Sequence, residues 1–278
     1  MRTRPNNVAF ELVRGCNMAC SFCGIHAIPK EKKYMDMNTL CAALFQMKEW
    51  DPIRIDFCAR GEATLHPEFA EAVHLARTFM PKSWISTTTN GVLLTRELAK
   101  ELYVAGINVI NVDCYGNTFD KYVQRHGGLV PMHVFGESDF NPFNRHSHKL
   151  RAMVLFRDIG KHDAEQPQRR LTNVAGNARA KGPLKEPLKK VCVDPFRVLT
   201  VWWNGDVPLC CRDYCEEETL FNIEEDNIVR EWYHNPKLEE ARRRLIKGDR
   251  AWGICQRCDW HGGFMKGLIF KNKEYLDE

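Results

Sequence analysis

Short apolar segments alternate with amphipathic segments over the first half of the chain, and this alternation constrains the fold more than any other feature of the sequence. Predicted strands cover residues 8–13, 54–58, 84–89, 109–113 and 150–156. Strands that alternate with helices pair in parallel, because each right-handed crossover returns the chain across a face of the sheet. The pattern therefore predicts an α/β barrel, open or closed, whose chemistry gathers at the carboxyl ends of its strands.

The predicted helices between these strands have a helical repeat of apolar side chains. Residues 38–49 place Leu40, Leu44 and Met47 on one face, and a second helix is predicted from Pro67 onward. A third helix is predicted over residues 95–105, and two more over residues 228–233 and 236–247. Each helix is expected to cover the sheet with its apolar face.

Length and composition bound the class of protein. The chain has 278 residues, enough to bury a core without disulfides, and its net charge of +4 does not indicate a nucleic-acid-binding protein. Basic stretches at residues 181–190 and 242–244 are interpreted as solvated faces. No segment approaches the roughly 20 apolar residues of a membrane span, and the start lacks the features of a signal peptide. We therefore expect a cytoplasmic protein without a membrane association.

Twelve cysteines are poorly explained by disulfides in that reducing compartment, so metal or redox chemistry is favoured. Three of them, Cys16, Cys20 and Cys23, have the spacing C-x3-C-x2-C directly after the first predicted strand. Iron–sulfur clusters are ordinarily held by four thiolates, so a set of three leaves one iron with an open coordination position. Gly15 and Gly24 flank the loop and would let it turn tightly.

The remaining loops are less regular. Residues 116–150 are rich in Gly, Pro, Asn and His and predict a long loop or lid. The histidines of this loop are interpreted as ordinary loop residues, although they could bind metal or substrate; they are His126, His133, His146 and His148. Residues 198–203 and 207–210, around a turn at Gly205, predict a β-hairpin. Cys41, Cys58 and Cys114 fall on apolar patterns and are predicted to be buried.

The three-cysteine loop and the segment CARGEATLHPEF that follows the second strand resemble the radical S-adenosylmethionine (radical SAM) superfamily. This resemblance implies a partial (β/α)6-type barrel. It also implies that SAM chelates the open iron, and that electron transfer from the cluster gives a 5'-deoxyadenosyl radical that abstracts hydrogen from a substrate. Cys16, Cys20 and Cys23 would then be the catalytic cluster ligands.

The same resemblance implies a set of SAM-binding positions at the ends of the second, third and fourth strands. They are Gly61, Glu62, Thr88, Asn90, Asn111 and Asp113. By this resemblance Gly61 and Glu62 lie against the methionine amino group, and Asn111 lies near the ribose and carboxylate. A plain turn at Asn90 and ordinary strand packing at Asn111 remain open as alternatives. Arg60 occupies a position where the family usually has glycine.

A second cysteine group follows in the C-terminal third of the chain. Cys192, Gly205 and Cys210 form C-x12-G-x4-C, and Cys255 and Cys258 form a later C-x2-C. The layout resembles the auxiliary-cluster region of the SPASM and twitch subfamilies. With no cysteine after Cys258, it implies the twitch form, in which four thiolates hold one auxiliary [4Fe-4S] cluster. Predicted domains are therefore a barrel over residues 1–185 and a small α+β auxiliary-cluster domain over residues 186–278.

Alternative ligand sets remain open at this point. The segment CCRDYC also offers Cys211 and Cys215, although the spacing favours Cys210. A zinc site could instead combine Cys20 and Cys23 with the later C-x2-C pair, in a binding module without chemistry. That arrangement leaves Cys16 unexplained.

The likeness over residues 8–260 is to twitch-type dehydrogenases of aminocyclitols, which implies an oxidation in which the auxiliary cluster takes the second electron. Residues 173–176 read NVAG where such relatives often have Asn-Arg-x-Gly, so the substrate does not transfer. The expected partners are a small-molecule substrate and an external electron donor such as flavodoxin or ferredoxin. The alternative is rearrangement, epimerisation or bond formation on a peptide or a modified nucleotide or nucleic acid.

Overall fold

A computed structural model describes residues 4–20, 22–114, 153–158, 172–179 and 181–262 of the chain. The strands, in chain order, are β1 (Asn7–Phe10), β2 (Val13–Arg14), β3 (Lys33–Tyr34), β4 (Arg54–Asp56), β5 (Trp84–Thr89), β6 (Val109–Cys114), β7 (Met153–Asp158), β8 (Val198–Val201), β9 (Asp206–Pro208) and β10 (Thr219–Asn222). The helices are α1 (Met37–Met47), α2 (Phe69–Phe79), α3 (Arg96–Ala105), α4 (Asp194–Arg197), α5 (Ile228–His234) and α6 (Pro236–Ile246). Short 3-10 helices cover Gly24–Ala27, Ala63–Leu65 and Gly253–Arg257. None of the described helices has the length and apolar character of a bilayer-crossing segment.

A six-stranded parallel sheet is the centre of the described fold, with the strand order β7-β6-β5-β4-β1-β8. Helices α1, α2 and α3 connect successive strands from β1 to β6, as the alternating pattern predicts. Parallel neighbours with helical crossovers confirm the predicted α/β class. The carboxyl ends of these strands lie at one edge, where the loop after β1, the segment after β4 and the turn after β5 meet.

The sixth strand of this sheet comes from the C-terminal third of the chain. Strand β8 pairs in parallel with β1, on the side opposite β4. The predicted hairpin between residues 198–203 and 207–210 is therefore wrong in its pairing, because β9 pairs instead with β10. The turn itself is present: Trp202 N donates to Asp206 O at 2.8 Å, and Gly205 has a φ of 84°. A buried strand such as β8, in which Leu199, Thr200 and Val201 are at most 2% exposed, is stabilised more by a parallel sheet than by a two-stranded ribbon.

The core lies between the sheet and the apolar faces of its helices. Leu40, Leu44 and Met47 of α1 are buried as predicted. Helix α2 begins at Phe69, two residues after Pro67. The same buried cluster continues without a break to Ile228 and Trp232 of α5, and also includes residues of α6. The auxiliary part of the chain thus shares one core with the barrel.

The remaining predictions concern three cysteines, the long loop with its histidines, and the domain boundary. Cys114 is buried, but Cys41 and Cys58 are partly exposed, so the prediction of burial was wrong for those two. Cys41 lies in the middle of α1, beside the exposed Ala42 and outside the buried stripe of Leu40 and Leu44, and Cys58 follows the end of β4. The predicted lid at residues 116–150 and its histidines lie outside the described residues. The domain boundary at 185/186 stays a prediction, although β8, beyond it, belongs to the barrel sheet.

Candidate active site and auxiliary cysteine site

The first three cysteines lie on one loop between β2 and the 3-10 helix Gly24–Ala27. Cys23 N donates to Cys20 O at 3.0 Å, and Met18 N donates to Cys16 Sγ at 3.3 Å. Burial raises the pKa of both Cys16 and Cys23 above the usual thiol value. Metals bind the thiolate, so a cationic cluster core would supply the charge that stabilises the deprotonated sulfurs.

The segment after β4 packs directly against this loop. A Cβ placed on Gly61 would lie 1.8 Å from Val13 O and 2.6 Å from Gly15 O, so no side chain fits there. The next residue closes the contact, because Glu62 N donates to Gly15 O at 3.0 Å. Only glycine permits this approach of the two backbones. The predicted SAM-binding position Gly61 thereby also fixes the start of the cysteine loop.

Glu62 is buried, and its carboxylate joins the segment after β4 to the end of β5. It accepts hydrogen bonds from Thr64 Oγ1 at 2.7 Å, from Thr89 Oγ1 at 2.7 Å and from Asn90 N at 2.9 Å. Asn90 in turn donates from Nδ2 to Asn17 Oδ1 at 2.7 Å. This carboxylate therefore ties the turns after β4 and β5 to the cysteine loop. Its contact with the SAM amino group stays a prediction.

Three further predicted SAM-binding residues lie on neighbouring strands. Thr88 of β5 is in register with Asn111 of β6, and Asp113 lies two residues further along β6. Asn111 Nδ2 donates to Thr87 O at 3.1 Å, which is the packing role that the sequence left open. Both Asn111 and Asp113 are nearly buried. The sheet thus brings the predicted residues to one end, while their contacts with a nucleotide stay predictions.

The second cysteine group lines a single cavity in the C-terminal part of the chain. Cys192, Cys210, Cys255 and Cys258 all contribute to its wall, although up to 66 residues separate them along the sequence. Cys211 and Cys215 do not line it. A hydrogen bond from Cys211 is the main reason that the pKa of Cys210 falls to about 7. The cavity thus brings together the four cysteines that the spacing predicts as one ligand set.

Two arginines line the same cavity. Arg250 is 2% exposed, and its guanidinium donates to the carbonyl oxygens of Lys190, at 2.8 Å, and of Val191, at 3.1 Å. Arg212 forms an ion pair of 2.7 Å with Asp194 and lies over the ring of Trp260. A buried cation is costly unless an anion faces it. Four thiolates around a [4Fe-4S] core carry a net negative charge, so the donor set and its surroundings fit an iron–sulfur cluster.

A single zinc ion fits the described residues less well. Within the part of the chain that the structure describes, no three His, Cys, Asp or Glu side chains converge as closely as one metal ion requires. Cys255 and Cys258 share their cavity with Cys192 and Cys210, and neither Cys20 nor Cys23 lines it. The zinc arrangement combining the two C-x2-C pairs is therefore not supported. A cluster with several metal atoms spans a wider set of sulfurs than one ion does.

A buried ion pair connects the segment after β4 to the loop that follows Cys210, and no sequence motif predicts it. The Arg60 guanidinium donates to both oxygens of Glu11, at 2.7 and 2.5 Å, and also to Tyr214 O and Glu216 Oε1. It lies 4.0 Å from the centre of the Trp202 ring. Burial alone would lower the pKa of Arg60, but the two carboxylates raise it overall. The replacement of the usual glycine by Arg60 was the available signal, and its partners lie far away in sequence.

The fold and the two cysteine sites define an α/β-barrel protein built to hold iron–sulfur clusters. Residues 10–128 match the model of the radical SAM superfamily, and residues 192–259 match that of SPASM, an iron–sulfur cluster-binding domain. The chain therefore carries a radical SAM domain and a C-terminal domain of the SPASM type. A [4Fe-4S] cluster, SAM and an additional iron–sulfur cluster are therefore its cofactors.

The chain is similar to solved structures over most of its length and to curated proteins over shorter stretches. A crystal structure of BtrN in complex with AdoMet and 2-DOIA superposes with a TM-score of 0.72, at 22% identity, over 94% of this chain and 95% of BtrN. GTP 3',8-cyclase of Chlorobaculum tepidum is 29% identical over 114 residues, which are 41% of this chain and 33% of the cyclase. A tungsten-containing aldehyde ferredoxin oxidoreductase cofactor-modifying protein of Pyrococcus furiosus is 29% identical over 102 residues, 36% of this chain and 28% of that protein. The chain thus spans about a third of the length of these curated relatives.

Proposed function

We propose that this protein is a radical SAM oxidoreductase that removes two hydrogens from a hydroxyl-bearing carbon of a small molecule. With SAM and one electron from a donor such as flavodoxin or ferredoxin, the first cluster supplies a 5'-deoxyadenosyl radical that takes one hydrogen atom from the substrate. A proton and one electron then remain to be removed from the substrate radical. The second cysteine site is proposed to hold the acceptor of that electron.

The observation that carries this proposal is that four cysteines line one cavity. Four protein thiolates would occupy every iron of a cubane, which leaves no coordination position for substrate. Cys192, Cys210, Cys255 and Cys258 are accordingly proposed as its ligands. An electron-transfer role is then favoured over direct binding of the substrate.

The charges around the cavity support electron uptake. Arg212 and Arg250 face the cysteines, and a reduced cluster is more negative than an oxidised one. Cations in a poorly solvated wall stabilise the more negative state and so raise the reduction potential. This direction suits a cluster that accepts an electron from a strongly reducing substrate radical.

At the first site, the protein's own residues would bind the cluster and orient the reacting groups. Cys16, Cys20 and Cys23 are proposed as the three cluster ligands, with Gly61 allowing the loop to lie against the backbone after β4. The Glu62 carboxylate holds the backbone of Asn90 and the hydroxyl of Thr89 in place around that loop. Such fixed partners keep the reacting groups positioned, which is where much of the rate enhancement of an enzyme comes from.

The substrate class rests on fold likeness and on one difference of sequence. BtrN, whose crystal structure contains AdoMet and 2-DOIA, matches over nearly the whole chain. Residues 173–176 place Val174 where an arginine is frequent in aminocyclitol dehydrogenases. Loss of a charged group changes which polar substituents a pocket can pair with. We therefore propose a polyhydroxylated small molecule that lacks the anionic or acceptor group that such an arginine would bind.

The test is an anaerobic incubation with SAM, dithionite and a panel of aminocyclitols, other polyols and GTP. Release of 5'-deoxyadenosine identifies the compound that enters the reaction, and mass spectrometry of the product identifies the outcome. A product lighter by two hydrogens supports oxidation. A product of unchanged mass, or cyclisation of GTP, would support the alternative of rearrangement or bond formation, which the partial match to GTP 3',8-cyclase makes specific.

A matched pair of variants tests the role of the second site. Cys258→Ser removes a cavity-lining thiol, so we expect 5'-deoxyadenosine release without the oxidised product. Cys211→Ser changes a neighbouring thiol outside the cavity and should give the wild-type product. Equal amounts of oxidised product from both variants would refute the assignment of the second cluster as electron acceptor.

A further inference from the structure

The side-chain amide of Asn90 lies against the first cysteine loop. Asn90 directly follows β5, and its Nδ2 donates to Cys16 Sγ at 3.6 Å and to Asn17 Oδ1 at 2.7 Å. A primary amide carries two N–H groups, so this nitrogen serves both acceptors at once. From the sequence, Asn90 was expected to contact the nucleotide or to form a plain turn. The structure places its amide nitrogen beside the sulfur of the first cysteine.

The orientation of this amide is fixed by its own oxygen. Asn90 Oδ1 accepts a hydrogen bond from Val92 N at 3.0 Å, and a backbone N–H can only donate. Exchanging the two atoms of the amide would bring its NH2 group against the N–H of Val92. The oxygen therefore takes that side of the amide, which leaves the nitrogen facing Cys16.

The backbone around Asn90 is also held in place. Asn90 N donates to Glu62 Oε2 at 2.9 Å, and the two residues are 5% and 3% exposed, respectively. The next residue, Gly91, donates from its N–H to Thr89 Oγ1 at 3.0 Å, and this hydroxyl donates to Glu62 at 2.7 Å. The amide is thus a positioned donor shielded from water, and a hydrogen bond to a charged sulfur is strong under those conditions.

We propose that Asn90 is a positioning residue for the first cluster, and that its hydrogen bond to the Cys16 sulfur makes the reduction potential of that cluster less negative. The inference rests on the proposed function, in which Cys16, Cys20 and Cys23 hold that cluster. Hydrogen bonds to the sulfurs are among the factors that set the potential of an iron–sulfur cluster. A donor stabilises the reduced cluster more than the oxidised one, because the reduced cluster carries more negative charge.

A redox titration of the anaerobic holoenzyme, without substrate or SAM, tests this proposal. The clusters are followed by electron paramagnetic resonance, and the signal of the first cluster is identified in the wild-type protein as the one that changes when SAM is added. Asn90→Asp keeps an oxygen that accepts from Val92 N and replaces only the NH2 group that donates to Cys16. We expect the equilibrium constant for reduction to fall at least tenfold, which moves the midpoint by about 59 mV or more in the negative direction.

Asn108→Asp is the matched control. Asn108 Oδ1 accepts from Ile85 N at 2.8 Å, so the same replacement again keeps an oxygen that accepts from a backbone N–H. Asn108 directly precedes β6, at the end of the sheet away from the cysteine loop. The midpoint of this control should equal that of wild type. An unchanged midpoint in Asn90→Asp, or an equal shift in the control, would overturn the proposal.

An isotope experiment on the wild-type holoenzyme does not depend on whether Asn90→Asp retains its cluster. Protein is synthesised with asparagine that carries nitrogen-15 only in the side-chain amide, and the first cluster is reduced without SAM. Pulsed electron paramagnetic resonance should then detect nitrogen-15 coupled to the unpaired spin, and absence of this coupling would overturn the proposal. Failure of the oxidation proposal would appear separately, as a missing two-hydrogen loss, since neither measurement uses substrate. A wild-type holoenzyme without any SAM-responsive signal would overturn both.

Discussion

The buried pair of Arg60 and Glu11 leads to a large and specific stability prediction for Arg60→Met. Both side chains are 0% exposed, and the guanidinium binds the two oxygens of Glu11. Methionine keeps much of the aliphatic length beside Trp202 but leaves a carboxyl group buried without its counter-ion. Removing one partner of a buried pair costs about 3–5 kcal/mol. For a chain of this size that corresponds to a fall in melting temperature of roughly 6–20 °C, at about 2–4 °C per kcal/mol.

The loss of stability caused by Arg60→Met should increase as the pH rises. Burial raises the pKa of Glu11 above its ordinary value, and the hydrogen bonds and charge of Arg60 counteract part of that rise. Without Arg60 the pKa of Glu11 in the folded protein is higher still. A group whose pKa is raised on folding stabilises the fold below its unfolded pKa, and that contribution is lost as the pH rises through the folded pKa. The cost of Arg60→Met should therefore be smallest in mild acid and grow toward pH 8.

The assay is anaerobic urea unfolding of the holoenzyme, followed by tryptophan fluorescence, at several pH values. Arg230→Met is the matched control, since Arg230 is 62% exposed and its ion pairs lie at the surface, where the expected cost is below about 1 kcal/mol. The double variant Glu11→Gln with Arg60→Met should recover part of the loss, because glutamine carries no charge to be buried. A loss below about 1 kcal/mol for Arg60→Met, or a loss that shrinks as the pH rises, would refute the reasoning.

Three further predictions concern the cysteine sites. Gly61→Ala should lose the first cluster and keep the second, because its Cβ would lie 1.8 Å from Val13 O; iron analysis showing both clusters retained would contradict this. Cys210→Ser should remove about four iron atoms per chain, whereas Cys211→Ser should remove none, and the reverse result would exchange the assignments. Arg250→Met should make the midpoint of the second cluster more negative by tens of millivolts, about 59 mV for each tenfold change in its reduction equilibrium; an equal or less negative midpoint in a redox titration would count against the electrostatic argument.

The elements of the fold could be predicted closely because their signals are local. Helix α3 begins after Thr95, whose side chain caps Leu98 N at 3.1 Å, and it ends at Gly106 with a φ of 104°. Both residues are visible in the sequence as start and stop signals. The partner of β8 could not be predicted, because a turn at Gly205 and two apolar segments are equally compatible with a hairpin and with strands in two different sheets. That choice depends on the free edge of β1, which is a property of the assembled fold.

In the candidate site, the cysteines could be predicted from their spacing, whereas the residues that surround them could not. Cysteine spacing grouped Cys192 and Cys210 with the later pair, and all four line one cavity. Spacing says nothing about Arg250, which reaches the cavity from a loop without any motif. Cysteine spacing also does not predict the position of Tyr214, because the contact between Arg60 and Tyr214 O joins residues 154 positions apart. The charges and hydrogen bonds that would tune a cluster therefore come from tertiary contacts, while its ligands come from local patterns.

These tertiary contacts make the barrel and the auxiliary domain energetically dependent on each other. Strand β8 covers the edge of β1, directly before the first cysteine loop, and the apolar core runs from the barrel into α5. Arg60 then joins the segment beside the first cysteines to the loop that carries Cys210. Loss of either domain would expose an apolar face of the other and leave Arg60 or Glu11 buried without a partner, at a cost of several kcal/mol. The distance and solvation of the two cysteine sites are consequently fixed by the same interactions that stabilise the fold, as the proposed electron transfer from a substrate radical to a second cluster would require.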